Sequence, residues 1–342
     1  MLSWLLALAI SVSPPLRRAA FFDSQGAIVR GAAPPSSPRV YLPVHSGLSL
    51  IEGSPGDYRA SFLTESDVQG LVNEQGSIAA CIGRATEASL LGRRLAERCG
   101  CAPGDASLWV LDVSHRDTPP EFPGQWLAIR GGAGAYTVLE GLQDDADAAL
   151  LASARGFAHW HRSIPHCAKC GARTESKRAG RQRQCINESC GARFRPRIEP
   201  SILVLVVKGD RACLGRKASW PTGRYSTLAG FVELGETLEE AVVREVYEEV
   251  GLRIRRDSLR YVASQPWLFP SSLLVGFIAE ADNSQLSIDK KELEDAGWYH
   301  RSVILERFGE LPEPKDGSVH VPSFVSLAHT VVGAWLEDTD PS

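Results

Sequence analysis

The hydrophobic positions change their rhythm along the chain. From about residue 20 to 150, short apolar runs are cut by turn-forming segments such as GAAPPSSPR (Gly31–Arg39), EGSPGD (Glu52–Asp57) and DTPPEFPG (Asp117–Gly124). That is the pattern of a strand-rich domain. RGGAGAY (Arg130–Tyr136) has the look of a phosphate-binding glycine loop. It lacks that motif's third glycine and a following helix, so it reads as a hairpin turn. Over Asp145–Ser163 the apolar positions take helical spacing, with Leu150, Ala154, Phe157, Ala158 and His161 along one side. His159 and His161 then read as packing or surface residues of that helix, not ligands. A cysteine-rich segment follows. Ser201–Val207 (SILVLVV) is a continuous apolar run, hence a buried strand, and KGDR (Lys208–Arg211) is a hairpin turn into the next. Beyond it strand, long helix and strands alternate, ending in a helix near SLAHTVVGAWL (Ser326–Leu336). The expected fold class is α/β (α+β). The expected boundaries are a leader or first element at 1–20, a strand-rich domain at 21–149 and a connecting helix at 150–165. A cysteine-rich module at 166–198, an α/β domain at 199–337 and a tail at 338–342 complete the chain.

Composition adds little to that outline, but charge adds a site. The net charge of −4 excludes a general polyanion binder. Its distribution is uneven: Arg162 to Glu199 holds ten Lys/Arg against three Asp/Glu. A basic island on an acidic protein suggests either a local phosphate site or simply a solvated face. No run approaches the roughly 20 apolar residues that span a bilayer, so no membrane association is expected. The opening MLSWLLALAISVSPPLRRAAFF has its arginines after the apolar stretch, which is poor for a secretory signal. A mitochondrial presequence and a buried first element both stay open there. Eight cysteines in 342 residues fall short of disulfide density. A reducing compartment fits: cytoplasmic, with mitochondrial or peroxisomal as alternatives.

Four of those cysteines have ligand spacing. Cys167 and Cys170 form C-x2-C, and Cys185 and Cys190 form C-x4-C after fourteen intervening residues. Two close pairs on tight turns can aim four thiolates at one tetrahedral zinc. The segment between them is rich in Arg, Lys and Gly with no apolar core of its own, so metal is expected to supply its folding energy. Four sulfurs leave no position for water, so the zinc is structural. Cys81, Cys99, Cys101 and Cys213 show no such pattern.

The densest chemistry lies in GFVELGETLEEAVVREVYEEVGL, Gly230 to Leu252. Thr237 and Glu240 make a capping box, and Gly251 suits a left-handed C-terminal turn. Leu238, Val242 and Val246 form the packing stripe. Glu245, Glu248 and Glu249 stand at i, i+3 and i+4, which places three carboxylates on one face near the helix C-terminus. Repulsion and the helix dipole both oppose that arrangement, unless divalent cations sit among the oxygens.

The segment agrees with the Nudix box G-x5-E-x7-R-E-U-x-E-E-x-G-U at Gly230, Glu236, Arg244, Glu245, Val246, Glu248, Glu249, Gly251 and Leu252. It therefore resembles the Nudix hydrolases, which act on nucleoside diphosphates linked to another group. SQPWLFPSS (Ser264–Ser272) resembles the SQPWPFPxS motif of their NADH pyrophosphatase subfamily, and the four-cysteine ribbon just upstream fits the same architecture. The resemblance covers about residues 150–337. It implies a Nudix α/β/α sandwich preceded by a zinc ribbon and a β-rich N-terminal domain, usually as a homodimer. It also implies water attack on the pyrophosphate of NADH or NAD⁺, giving nicotinamide mononucleotide and AMP; some members also remove NAD caps from RNA.

By the same resemblance, Mg²⁺ or Mn²⁺ would be held by the Ala229 carbonyl, Glu245, Glu249 and Glu292. Glu248 would assist through water or a further metal, and Arg244 would pair with Glu236. Gln265, Pro266, Trp267, Leu268, Phe269, Pro270, Ser271 and Ser272, with Ala328, would line the dinucleotide pocket. Two positions depart from the subfamily pattern. Leu268 replaces the second proline of the loop, and Arg195 stands where relatives carry an aromatic residue, so a phosphate or cation–π contact would replace base stacking there. Two rival readings remain at this point. One is hydrolysis of another nucleoside diphosphate derivative: ADP-ribose, a dinucleoside polyphosphate or NAD-capped RNA, the last favoured by the basic segment. The other is a zinc-ribbon nucleic-acid-binding protein with a scaffold Nudix domain, which loss of a metal carboxylate would favour; none is lost.

Overall fold

The fold is seen in a computed structural model, which describes residues 24, 26–31, 33–34, 36–129, 137–310 and 316–338. The expected leader at 1–20 and the RGGAGAY turn lie outside the described residues. The chain forms two compact units. One comprises Phe22–Glu199 with Pro266–Leu273, the other Pro200–Gln265 with Leu274–Ser342.

The first unit is built on an eight-stranded sheet. Its strands are β1 (Ile28–Arg30), β2 (Arg39–His45), β3 (Leu48–Ser54), β4 (Asp57–Ala60), β5 (Leu63–Thr64), β6 (Ile78–Ala85), β7 (Ser107–Asp112) and β8 (Gln125–Ala128). Their order is β1-β6-β7-β2-β3-β4, with β5 added to β2 and β8 to β3. The central pair, β2 with β7, is parallel, and its neighbours are antiparallel. A parallel pair is covered on both faces, which is why both strands are nearly unbroken apolar runs. Ser46 and Gly47, at φ 46° and 85°, close the β2–β3 hairpin with the two positive dihedrals such a two-residue turn requires.

The helix Asp145–Ser163 covers this sheet over the span its periodicity indicates. Asp144 caps it by accepting the Ala146 N–H at 2.9 Å. Asp145 and Asp147 in the first turn, with Arg162 in the last, complement its dipole. Its alanine and leucine face packs on β2, β6 and β7. Two ion pairs fix it further. Buried Asp147 accepts from Arg94 at 2.9 and 3.2 Å and from the Ala60 N–H at 2.8 Å, while buried Asp112 accepts from Arg162 at 2.5 and 2.9 Å.

The cysteine-rich module adds β9 (Thr174–Lys177), β10 (Gln182–Cys185) and β11 (Arg193–Phe194) in the order β11-β10-β9. Metal was expected to supply its folding energy, and the eight-stranded sheet adds support. Cys81 of β6 donates its N–H to the Ala179 carbonyl at 2.8 Å, and Arg181 donates to the Cys81 carbonyl at 3.1 Å. A methyl on Gly180 would run into Ala80, so only glycine allows this approach. From the helix, fully buried His161 meets the Gly180 carbonyl through Nε2 at 2.7 Å and Arg183 through Nδ1 at 3.0 Å. Arginine can only donate, so Nδ1 accepts and Nε2 carries the proton of a neutral ring. His159, two residues earlier, is exposed.

In the second unit β12 (Glu199–Lys208), β13 (Arg211–Arg216), β14 (Leu228–Phe231), β15 (Arg260–Trp267), β16 (Ser272–Glu280) and β17 (Asp295–His300) make a sheet of order β15-β16-β12-β13-β17, with β14 also on β12. Along β12, Leu203, Leu205 and Val207 share a buried core with Leu327, Val331 and Trp335 of the helix Leu327–Glu337. Ile202, Val204 and Val206, equally buried, alternate to the opposite face. Cys213, paired with Val206, lies on that face close enough to Glu249 to feel its charge; burial first, then that charge, push its thiol up to about 12. The helix Leu238–Val250 therefore occupies the second face, completing an α/β/α sandwich. No helix among the described residues is long and apolar enough to cross a membrane.

Burial, followed by the Arg183 charge, holds His161 down at about 4 against the Gly180 hydrogen bond. The folded protein thus keeps a neutral ring where the unfolded chain, near 6.5, binds a proton. The resulting stabilisation is full above the unfolded value and is lost as pH falls from about 6.5 to 4, on the order of 3 kcal/mol. His161→Gln, which keeps a donor and an acceptor, is expected to flatten this part of the stability–pH curve in urea titrations. An unchanged slope would show that the ring is not held neutral.

Candidate active site

Among the described residues, one group brings three or more metal-ligating atoms within 4.8 Å of one another: Cys167, Cys170, Cys185 and Cys190. The Cys167 and Cys190 sulfurs are 3.8 Å apart and those of Cys170 and Cys185 3.5 Å. A tetrahedral zinc with bonds of about 2.3 Å sets its sulfurs roughly 3.8 Å apart, so the cluster has the right size. Backbone turns preshape it: Gly171 donates to the Cys167 carbonyl at 2.9 Å, and Gly191 to the Asn187 carbonyl at 2.9 Å.

The helix Leu238–Val250 carries the acidic chemistry. Thr237 accepts the Glu240 N–H at 3.2 Å and Glu240 accepts the Thr237 N–H at 2.9 Å, forming the expected capping box. Gly251, at φ 71°, ends the helix by bonding back to Tyr247. Arg244 organises the rest. It grips Glu236 through two bonds of 2.6 and 2.9 Å, reaches the Phe231 carbonyl at 2.9 Å, and touches Glu245 at 2.9 Å and Glu248 at 3.0 Å. The Arg244 hydrogen bonds, then the Glu233 N–H, hold the Glu236 carboxyl at about 2, and Arg244 itself is raised above its ordinary value.

Glu245 and Glu249 turn inward and are nearly buried, whereas the Glu248 side chain is 57% exposed and drawn to Arg244. The expected shared face thus splits: two carboxylates face the protein and the third faces solvent, where its pairing with Arg244 is cheaper than burial. Glu245 packs against the backbone at Gly230, in space that a Cβ there would fill. Burial raises both buried carboxyls. Glu249 reaches about 8, Lys217 opposing the rise while Glu245 and Glu292 add to it; the Ala229 N–H also lowers it slightly. Glu292 lies exposed nearby. Glu249 Oε2 is buried with no hydrogen-bond partner. Two inward carboxylates with an unsatisfied oxygen, and a third carboxylate acting on both, form a donor set suited to a hard divalent cation.

The loop residues divide. Gln265 is fully buried, its amide donating to the Val325 carbonyl and accepting the Leu327 N–H, both at 2.8 Å. Ala328, also fully buried, belongs to the hydrophobic core. Neither lines open space, because the start of the helix Leu327–Glu337 needs Gln265 to satisfy its backbone. Pro266–Leu273 belongs to the other unit. There Trp267 and Phe269 meet edge to face at 5.3 Å, Ser271 accepts the Glu199 N–H at 2.9 Å, and Ser272 is buried. Pro270 follows a cis peptide bond. Arg195 is exposed beyond half-buried Phe194.

Residues 197–316 match the family model of the NUDIX domain, and residues 162–194 that of the NADH pyrophosphatase zinc ribbon domain. NAD-capped RNA hydrolase NudC of Mycobacterium bovis is 34% identical over 241 residues, 69% of this chain and 74% of that protein. The chain belongs to the NADH pyrophosphatase (NAD-capped RNA hydrolase) subfamily of the Nudix hydrolases. Other similar members are Nudix hydrolase 19, chloroplastic, of Arabidopsis thaliana and NAD-capped RNA hydrolase NUDT12 of Homo sapiens. The first is 32% identical over 81% of this chain and 64% of that protein, the second 36% over 56% and 42%. As a Nudix hydrolase the chain is an enzyme with a structural zinc and a divalent-metal requirement. Lys217, absent from the sequence expectations, is a further cation acting on Glu249. It follows β13 in a loop that no motif marks, so only the fold brings its charge to Glu249.

Purified protein is expected to hold one zinc per chain by elemental analysis, and Cys170→Ser to lose it; a folded wild-type protein without zinc would refute the tetrahedral site. A second outcome concerns Glu249 in chelator-treated protein. Its folded carboxyl, at about 8, lies above the unfolded value. Its contribution is therefore complete below the unfolded value and lost as pH rises through about 8. Glu249→Gln is expected to raise the unfolding midpoint by more at pH 8 than at pH 5. An equal effect at both would mean that Glu249 is not held in its neutral form.

Proposed function

We propose that this Nudix enzyme hydrolyses the pyrophosphate of NADH and NAD⁺ to nicotinamide mononucleotide and AMP, and removes NAD caps from RNA. Water adds to one phosphorus as the bridging P–O bond breaks. The observation that carries the reading is the inward pair Glu245 and Glu249, with one buried oxygen unsatisfied, inside an intact Nudix box. The relatives whose printed names specify NAD-capped RNA support the substrate. A divalent ion, when bound, neutralises pyrophosphate oxygens and lowers the pKa of a water. Glu245, Glu249 and Glu292 would hold it, with the Ala229 carbonyl, and Mg²⁺ or Mn²⁺ fits oxygen donors of this kind. Arg244, kept protonated, fixes the helix to the loop bearing Glu236, so the carboxylates are in place before substrate arrives. Trp267 and Phe269 offer aromatic surface for a nucleotide ring. We place the enzyme in the cytoplasm as a homodimer, with mitochondria or peroxisomes as alternative compartments.

The test is product analysis on NADH, NAD⁺, ADP-ribose and NAD-capped RNA, each with Mg²⁺ and with Mn²⁺. Cleavage of NADH or capped RNA into mononucleotide products is expected, and preference for ADP-ribose would move the assignment to another nucleoside diphosphate. On the accepted substrate, Glu249→Gln is expected to lower kcat by about 10²–10⁴, or on the order of 3–5 kcal/mol. Retention of more than about a third of wild-type kcat, a loss under about 1 kcal/mol, would remove Glu249 from the metal site.

A further inference from the structure

The loop Trp267–Pro270 rests on the helix Asp145–Ser163 at one step, Arg155–Gly156. Leu268 lies over Gly156. A methyl on that glycine would stand 3.1 Å from Leu268 Cδ1, tighter than side chains ordinarily pack, and 3.4 and 3.6 Å from Cδ2 and Cγ, in ordinary contact. The Arg155 guanidinium lies over the Phe269 ring, 5.3 Å from its centre, and also donates to the Gly47 carbonyl of the β2–β3 hairpin. Phe269 in turn meets Trp267 edge to face at 5.3 Å. The β2–β3 turn thus holds Arg155, Arg155 covers one ring of the loop, and that ring abuts the other.

Glycine in mid-helix is a poor choice for the helix itself, since it costs backbone entropy that alanine would not. Its neighbours Ala152, Ala154 and Ala158 show that alanine serves elsewhere on the same helix. At position 156 the missing side chain leaves a depression that Leu268 fills. Proline fixes a backbone through its ring, whereas leucine leaves it free and fixes only its own end by packing.

We propose that Gly156 and Leu268 form a knob-and-seat contact that positions the aromatic loop, making both specificity-determining positioning residues for dinucleotide binding. With Leu268 seated and Phe269 held under Arg155, Trp267 keeps one orientation before substrate arrives. Loss of the seat leaves the metal carboxylates untouched and weakens only ring binding. The proposal rests on the reading of this loop as the substrate loop.

The experiment measures kcat and KM for NADH in Gly156→Leu, Leu268→Ala, the size-swapped double variant Gly156→Leu with Leu268→Gly, and Trp267→Ala, with thermal unfolding as the folding control. Gly156→Leu is expected to raise KM about tenfold with kcat within about twofold, and the swap to restore KM to within about twofold of wild type. A purely structural role for the glycine would lower stability and kcat together, without rescue by the swap, and that result overturns the seat. If Trp267→Ala raises KM but Gly156→Leu and Leu268→Ala leave it unchanged, the seat is overturned and the substrate loop stands. An unchanged KM in Trp267→Ala overturns both. Should Gly156→Leu fail to fold, Leu268→Ala decides alone: a wild-type KM there refutes the contact.

Discussion

Two carboxylates buried on one helix, Glu245 and Glu249, set the terms for the rest of the catalytic unit. On a solvated helix their i, i+4 repulsion would cost only about 0.2–0.5 kcal/mol. Burial makes the cost far larger, because a carboxylate withdrawn from water without a partner is among the least favourable groups in a protein. The surroundings answer that constraint residue by residue. The capping box at Thr237 secures the helix start, so the helix withstands acids near its end. Gly230, by lacking a Cβ, lets the Glu245 carboxylate reach the backbone of β14. Arg244 spreads one positive charge over Glu236, Glu245 and Glu248 and ties the helix to the preceding loop. Lys217 adds a further positive charge close to Glu249. What remains unsatisfied, one buried oxygen of Glu249, is the capacity a cation would use.

The other unit meets a different constraint. A ribbon of about thirty residues cannot bury enough apolar surface to fold alone, and four thiolates around one metal are the usual remedy. Here the metal shares the task. The β9–β10 turn is bonded to β6, and the last turn of the helix Asp145–Ser163 reaches it through a neutral, buried histidine. The same helix carries buried Asp147 and contacts buried Asp112, each paired with arginine, so its position on the sheet is defined by charge as well as by packing. Such pairs contribute little as net attraction, but losing one partner would strand a buried carboxylate, at a cost of about 3–5 kcal/mol. That asymmetry makes the helix a firm mount for the ribbon at its end and for the aromatic loop along its side.

Much of this protein was written in short-range patterns. The spacing of four cysteines, the Thr237–Glu240 capping box, Gly251 and the helix Asp145–Ser163 each depend on short-range spacing, where geometry follows from residue type and separation alone. Nine constrained positions between Gly230 and Leu252 identified the family for the same reason. Tertiary structure decided what those rules leave open. Helical spacing placed Glu245, Glu248 and Glu249 together, but only the packing of the helix on the sheet turned two inward and left Glu248 to solvent. Gln265 and Ala328 belong to substrate-motif segments, yet the buried helix start claims the one and the core the other. Lys217 gained its place by Glu249, and Gly156 its contact with Leu268, across separations that no local pattern records. The physical reason is burial: sequence spacing states which groups can meet, and only the three-dimensional fold determines which of them lose water when they do.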